Sequence, residues 1–381
     1  MLADEGIQRA MNHVEQNREA ILAEWRMLTE INAPSGYEQD RAVVVERLLR
    51  EAGVTDIRKD AVGNIMARRK GSVGRPVVVI DAHLDTVFQP GREIRTTIQN
   101  GTLHAPGVGD NTRNIEAILA IARALNAASI RTKGDLIFLF TVEEENSFKG
   151  IDQFLADHKG TVDHFIALDG GYSGFTYGGI GINWYKHHFI GPGGHTRSKT
   201  PPYSATLPLA RAISRISKLR LPKNPPTHLN IGMLGGSAVV NAKADDAWFT
   251  VDLRSTDNNA ISRLARQVKG ILDQEAARAG LTVKTEVISE SPAAQIPGHR
   301  DSPLVLTSEA VHLAMGFENP PITPTASNHA SPALLAGLSA ISTGAAPCSD
   351  SHALTESCEI EPFYKGIRKI MAMALAMAGV D

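Results

Sequence analysis

The chain has 381 residues, 43% of them hydrophobic and 21% charged, with a formal net charge of -2. This length exceeds the usual limit of a single core and predicts two domains of an ordinary soluble globular protein. A near-neutral charge without basic runs argues against nucleic acid or an anionic membrane as partner, and no apolar run approaches the roughly 20 residues that span a bilayer.

The first residues, MLADEGIQRAMNHVEQN, are polar and lack the apolar stretch of a signal peptide. There are only two cysteines, Cys348 and Cys358, with no CxxC pair; two thiols fit a reducing cytoplasm without requiring it, and a cytoplasmic protein is the expectation. Met11, Val14, Ile21, Leu22, Trp25 and Leu28 recur at helical spacing and predict a helix over residues 8–30. Ser35 and Glu38 have the spacing of a capping box before AVVVERLLREAG and predict a second helix there. Strand-like runs follow at 64–69, 77–82, 135–142, 164–169 and 338–344, with helical stretches at 114–127, 150–158 and 303–315. Such alternation reads as an α/β fold with a mostly parallel sheet flanked by helices. Asn100-Gly101, between two short extended runs, is a hairpin signal.

The pattern changes over residues 182–296, where strand, helix, two strands, helix and strand follow one another. Two helices against a small antiparallel sheet make an inserted α+β unit. The first domain is then discontinuous, formed by residues 1–181 and 297–381.

Acids and histidines form five clusters, four of which follow or end an apolar run. AHLDT carries His83 and Asp85, GVGDNT carries Asp110, FTVEEEN carries Glu143, Glu144 and Glu145, ALDGG carries Asp169, and SDSHALTE carries His352. Each has a bland reading alone: a helix cap for Asp110, a solvated charge run for the glutamates, a turn for Asp169, a loop residue for His352. Together they supply two histidines and at least three carboxylates, a donor set suited to two zinc ions sharing an aspartate. Asp85, beside His83, is placed to brace a ligating imidazole, and one of the adjacent glutamates to act as base.

These motifs resemble the dinuclear-zinc peptidase and deacylase family of peptidase T, carboxypeptidase G, acetylornithine deacetylase and aminoacylase. The resemblance runs from PSGYE near residue 35 to SHALTE near 356 and is strongest to peptidase T-like members. It implies a zinc-exopeptidase fold with an inserted lid and dimerisation domain, two zinc ions (cobalt or manganese also fit), and a cytoplasmic homodimer. His83 and Asp169 would hold one ion, Glu145 and His352 the other, and Asp110 would bridge them. Glu144 would be the general base and Asp85 the brace for His83, although three consecutive glutamates also permit an assignment shifted by one residue. In the lid, GPGGHT implies that His195 stabilises an oxyanion in the partner's site, and Asn241 and Arg254 become candidates for binding substrate. His329 stands where relatives usually carry aspartate; it is counted with the substrate-binding residues, and a third histidine close to the metals or a replacement behind the ligands are the other readings.

The resemblance implies hydrolysis of amide bonds. Aspartate at position 169 favours an exopeptidase acting on short peptides, of aminopeptidase or di-/tripeptidase type. An N-acyl amino acid deacylase is the alternative, and a catalytically idle binding protein of the same fold is a third reading. A helix-borne di-metal oxidase lacks the Glu-x-x-His pairs it needs.

Overall fold

A computed structural model describes residues 1–199 and 202–381. The chain divides into two compact units, residues 1–178 with 296–381, and residues 179–295. No helix among the described residues is long and apolar enough to cross a membrane.

The first unit is built on an eight-stranded sheet. Its order is Asp56–Lys59, Ile65–Arg69, Asp135–Thr141, Val77–His83, His164–Leu168, Ser339–Thr343, Phe175–Thr176 and Ile322–Thr323. The strands from Asp135–Thr141 through Ser339–Thr343 are parallel neighbours. Every residue of VVVIDAH and DLIFLFT is buried, as parallel strands require when helices cover both faces. Val78, Ile80 and Ala82 join the main core with the helices Glu5–Gln16, Arg18–Glu30, Arg113–Ala127 and Ile360–Ala378. Val79, Ile137 and Phe165 are buried on the opposite face, which Ala330–Leu335 helps to cover. Each such side chain contributes roughly 1.5–3 kcal/mol on burial.

Three local expectations change. The predicted helix over 8–30 is two helices, Glu5–Gln16 and Arg18–Glu30, broken at Asn17. The Asn17 amide donates to the His13 carbonyl at 2.7 Å, an alternative to helical pairing open to short polar side chains. The capping box at Ser35 and Glu38 does not form. The helix starts at Gln39 without a side-chain cap, and both side chains instead reach elements described below. Cys348 and Cys358 are disulfide-bonded rather than free thiols. They lie opposite each other on paired two- and three-residue strands, a proximity that sequence spacing does not reveal. Disulfides persist in oxidising surroundings, so the pair removes the argument for a reducing cytoplasm.

The hairpin at Asn100-Gly101 joins Thr97–Gln99 to Thr102–His104, with φ of 50° and 77° at the turn. Two successive left-handed residues suit the twist of a tight hairpin. This hairpin continues into Ser357–Glu359 and Cys348–Ser349 as a small four-stranded sheet.

In the second unit an antiparallel sheet has the order Thr227–Gly236, Asp246–Ser255, Gly181–Ile190, Thr282–Ser291. The helices Thr206–Ile216 and Asn258–Ala279 pack with it over Phe189, Phe249, Val251, Leu264 and Leu272. Asp257 caps the second helix through Asn259 N at 2.7 Å, and Gly280 ends it at φ 66°.

Candidate active site

The central parallel strands end at one edge of the sheet, and His83 is the last residue of its strand. Its imidazole is 2% exposed. Nδ1 lies 3.1 Å from the Asp85 carbonyl and 3.3 Å from Asp85 Oδ1. Nε2 points the other way, 3.0 Å from Asp110 Oδ1. Asp85 is fully buried and holds more than the histidine. Its carboxylate accepts from Glu144 N at 2.9 Å, Glu145 N at 3.0 Å and Ser35 Oγ at 2.6 Å. Burial alone would raise its pKa, but the bonds from His83, Ser35 and Glu145 N outweigh it and hold the group at about 2.

Asp110 sits in the turn Val108–Thr112, before the helix Arg113–Ala127. With φ -116° and ψ 88° it lies outside the helix and does not cap it. Its two oxygens meet two different imidazoles: Oδ1 faces His83, and Oδ2 lies 3.2 Å from His352 Nε2. Glu356, fully buried, braces this turn by accepting from Gly107 N, Gly109 N and Asp110 N at 2.7, 2.9 and 2.7 Å. Trp25 adds a bond from Nε1 to the Val108 carbonyl at 3.0 Å. Neither Ser35 nor Glu356 stood out in the sequence as a brace, because a lone hydroxyl or carboxylate in a loop carries no spacing signal.

The three glutamates separate cleanly. Glu143 is tied to Lys149 Nζ at 2.7 Å, and its N–H donates to Glu38 Oε1 at 3.0 Å. Glu144 and Glu145 line a cavity of about 450 Å³ with Asp110, Asp169 and His352. Glu145 Oε2 lies 3.2 Å from His352 Nε2, while its Oε1 is buried with no hydrogen-bond partner among the described residues. Asp169 follows the His164–Leu168 strand, and its N–H donates to the Thr343 carbonyl at 2.9 Å. The adjoining Gly170 carbonyl accepts from the buried Arg113 at 2.7 Å. His352 is half-exposed and takes φ 68° at the tip of the loop closed by the disulfide.

Two donor groupings arise, each with ligand atoms within 4.8 Å of one another: Asp110, Glu145 and His352; and His83, Glu144 and Glu145. Asp169 lines the same cavity but belongs to neither tight grouping.

The electrostatics favour added positive charge. Burial, then the Asp169, Glu145 and Asp110 carboxylates, push Glu144 well above the usual carboxylate range, against the pull of His83. Burial and Asp110 raise Glu145 to about 7. Asp169 is raised by burial and by Asp110. The hydrogen bond to Asp110, with Glu145 nearby, lifts His352 to about 9. A largely buried set of oxygen and imidazole donors, open to solvent at His352 and crowded with like charge, fits divalent cations.

The remaining candidates lie elsewhere. His195 is exposed on the second unit, in a two-residue strand opposite Ala242, and Thr196 N donates to the Asn241 carbonyl at 3.1 Å. Arg254 Nε is engaged by Asp252 at 3.0 Å along its own strand. His329 is 2% exposed and bonds Asp81 Oδ2 through Nδ1 at 2.7 Å, while its neighbours Ser327 and Asn328 line the cavity.

The model of the family described as Peptidase family M20/M25/M40 matches residues 79–376. The chain belongs to this family. It is a hydrolase of peptide or amide bonds, and its fold is that of solved members. A tripeptidase from Staphylococcus aureus superposes with a TM-score of 0.84 at 19% identity, covering 95% of this chain and 99% of that one. Aminopeptidase PepT from Bacillus cereus gives 0.81 at 20% identity with the same coverage. Bacillus subtilis YxeP, a dinuclear metal binding peptidase, gives 0.73 at 16% identity over 96% of this chain and 99% of its own. At these identities the likeness speaks for the fold.

Proposed function

We propose that this M20 member is a dinuclear-metal exopeptidase that cleaves short peptides with a free amino terminus, as an aminopeptidase or di-/tripeptidase. The observation that carries the reading is Asp110, whose two oxygens each face a different histidine, with Glu144 and Glu145 beside them. His83, Asp169 and Asp110 would hold one ion, and Asp110, Glu145 and His352 the other. The nitrogen and oxygen donors suit zinc, and cobalt or manganese as well. Two such ions would polarise the scissile carbonyl and acidify water.

The protein's own groups supply the rest. Glu144, its carboxyl raised by burial and by neighbouring carboxylates, is suited to take the attacking water's proton and return it to the departing amine. Asp85 orients His83 through Nδ1 and fixes both glutamates through their N–H groups. The preference for a free amino terminus rests on the aspartate at position 169, the form that the resemblance links to aminopeptidases and dipeptidases. Homodimerisation through the second unit, with His195 donating to the oxyanion in the partner's site and Asn241 and Arg254 contacting substrate, completes the proposal. It is supported by the family resemblance of GPGGHT and by the exposure of His195.

The test is a zinc-loaded hydrolysis panel of di- and tripeptides with free amino termini, their N-acetylated forms, and N-acyl amino acids. Cleavage confined to free-amine peptides supports the proposal. Cleavage confined to acylated substrates replaces it with a deacylase.

A further inference from the structure

A second imidazole–carboxylate pair lies behind the cluster, outside the cavity wall. Asp81 precedes His83 by two residues on the same strand, so both side chains leave the same face of the sheet. Asp81 is 2% exposed. Its Oδ2 receives His329 Nδ1 at 2.7 Å, and its Oδ1 receives Thr141 Oγ1 at 3.0 Å. Thr141 is in register with His83 on the neighbouring strand. The pair is therefore anchored to the two strands whose ends release His83 and the glutamates.

The His329 ring stands edge-to-face against two others. Its centroid lies 6.3 Å from that of His83 and 5.5 Å from that of Phe148, at interplanar angles of 74° and 71°. Phe148 closes the turn that carries Glu144 and Glu145: its N–H donates to the Glu143 carbonyl at 2.9 Å, and it adopts φ 59°. Asp85 holds that turn from one side through the Glu144 and Glu145 N–H groups. His329 is the ring packed against its other end. With Nδ1 donating to Asp81, His329 Nε2 is left buried with no hydrogen-bond partner among the described residues, so Asp81 is what sets the ring's orientation.

We propose that Asp81 and His329 form a positioning pair that fixes the His83 imidazole and the Glu144–Glu145 turn in their working geometry. The proposal rests on the dinuclear hydrolase reading above. Neither residue touches substrate. Asp81 orients the His329 ring, and the ring transmits that order by packing to His83 on one side and Phe148 on the other.

The test uses the full chain with Asp81→Leu, Asp81→Asn, His329→Leu and the double Asp81→Leu/His329→Leu variant. Zinc affinity is read by chelator competition and kcat and KM by peptide hydrolysis, with thermal unfolding alongside. Outer partners of ligating groups typically change affinity or activity about 10–100-fold. Asp81→Leu and His329→Leu should each lose that much in zinc affinity or kcat, with KM within about twofold of wild type. Asp81→Asn keeps an acceptor for Nδ1 and should stay within about threefold. Because the two residues act through one path, the double variant should be no worse than the poorer single one. Singles that match wild type, losses that multiply in the double variant, or a change confined to KM would each overturn the proposal. If His329→Leu does not fold, His329→Phe keeps the ring without the Asp81 bond, and the same comparison applies. Zinc affinity is read without substrate, so a loss there supports the pair's role even if the panel refutes the peptidase reading.

Discussion

Replacing Glu356 with leucine removes the acceptor of three backbone N–H groups, those of Gly107, Gly109 and Asp110. Leucine fills similar space but accepts nothing, and the carboxylate it replaces is fully buried. An unsatisfied buried donor costs about 1–3 kcal/mol. Three together give roughly 3–9 kcal/mol, and relaxation of the turn places the expected loss near 3–5 kcal/mol. Glu356→Gln is the control. An amide oxygen at the Oε1 position still serves Gly109 and Asp110, so only the Gly107 bond is lost, at about 1–2 kcal/mol. The assay is urea unfolding followed by Trp25, which bonds the Val108 carbonyl within the same turn. The chain's other two tryptophans, Trp184 and Trp248, lie in the second unit and can be changed to phenylalanine. Zinc affinity should fall with stability, since the turn presents Asp110 to both histidines. A leucine variant within about 0.5 kcal/mol of wild type, with unchanged zinc affinity, would refute the assigned role.

Glu144→Gln should keep zinc bound and lower kcat by about 100- to 10,000-fold, the usual range for a lost acid–base group; metal analysis beside steady-state rates checks this. Breaking the Cys348–Cys358 disulfide with reductant or by paired Cys→Ser changes frees the loop that carries His352 and Glu356. The chain-entropy model puts the loss for so short a loop at about 3 kcal/mol, and weaker zinc binding at His352 should accompany it. Stability should also fall in acid through two histidines of the folds. Burial pushes His187 and His312 down to about 4, with smaller help from His188 and Lys369 respectively. Their folded values lie below the free value, so their contribution is fully present above about pH 6.5 and declines as pH falls toward 4, at about 1.4 kcal/mol per unit for each. Urea midpoints measured between pH 7 and 4 should show this slope, and His312→Asn should reduce it.

Much of the first unit was legible because period and punctuation coincide. VVVIDAH and DLIFLFT read as buried strands because the runs are short, bounded by turn residues and rich in β-branched or aromatic side chains, and Asn100-Gly101 marked its hairpin because few other pairs tolerate two left-handed residues. His83, Asp110, Glu144, Glu145, Asp169 and His352 were nominated together as clustered acids and histidines, most of them at strand ends; all but His83 line one cavity, and His83 stands 3.0 Å from Asp110. What stayed hidden depends on distance in sequence. Ser35 and Glu38 have the spacing of a cap, and only the packed structure shows Ser35 reaching Asp85 and Glu38 reaching Glu143 N. His329 drew attention as an unusual residue, but its partner Asp81 lies 248 positions away. The cysteines meet through strand pairing and not through spacing.

The interleaving of the two units also sets an order of assembly. Residues 179–295 are contiguous and carry their own core, so that unit can fold as soon as it leaves the ribosome. The first unit cannot. Its strand His164–Leu168 waits for Ser339–Thr343 to cover one side, and Asp110 waits for His352 and Glu356. During synthesis the growing chain therefore exposes an unpaired parallel edge, the kind of surface that invites aggregation. The proposed ligand set would be complete only after residue 352 has emerged, so capture of metal by the full cluster would be a late checkpoint on a correctly closed sheet.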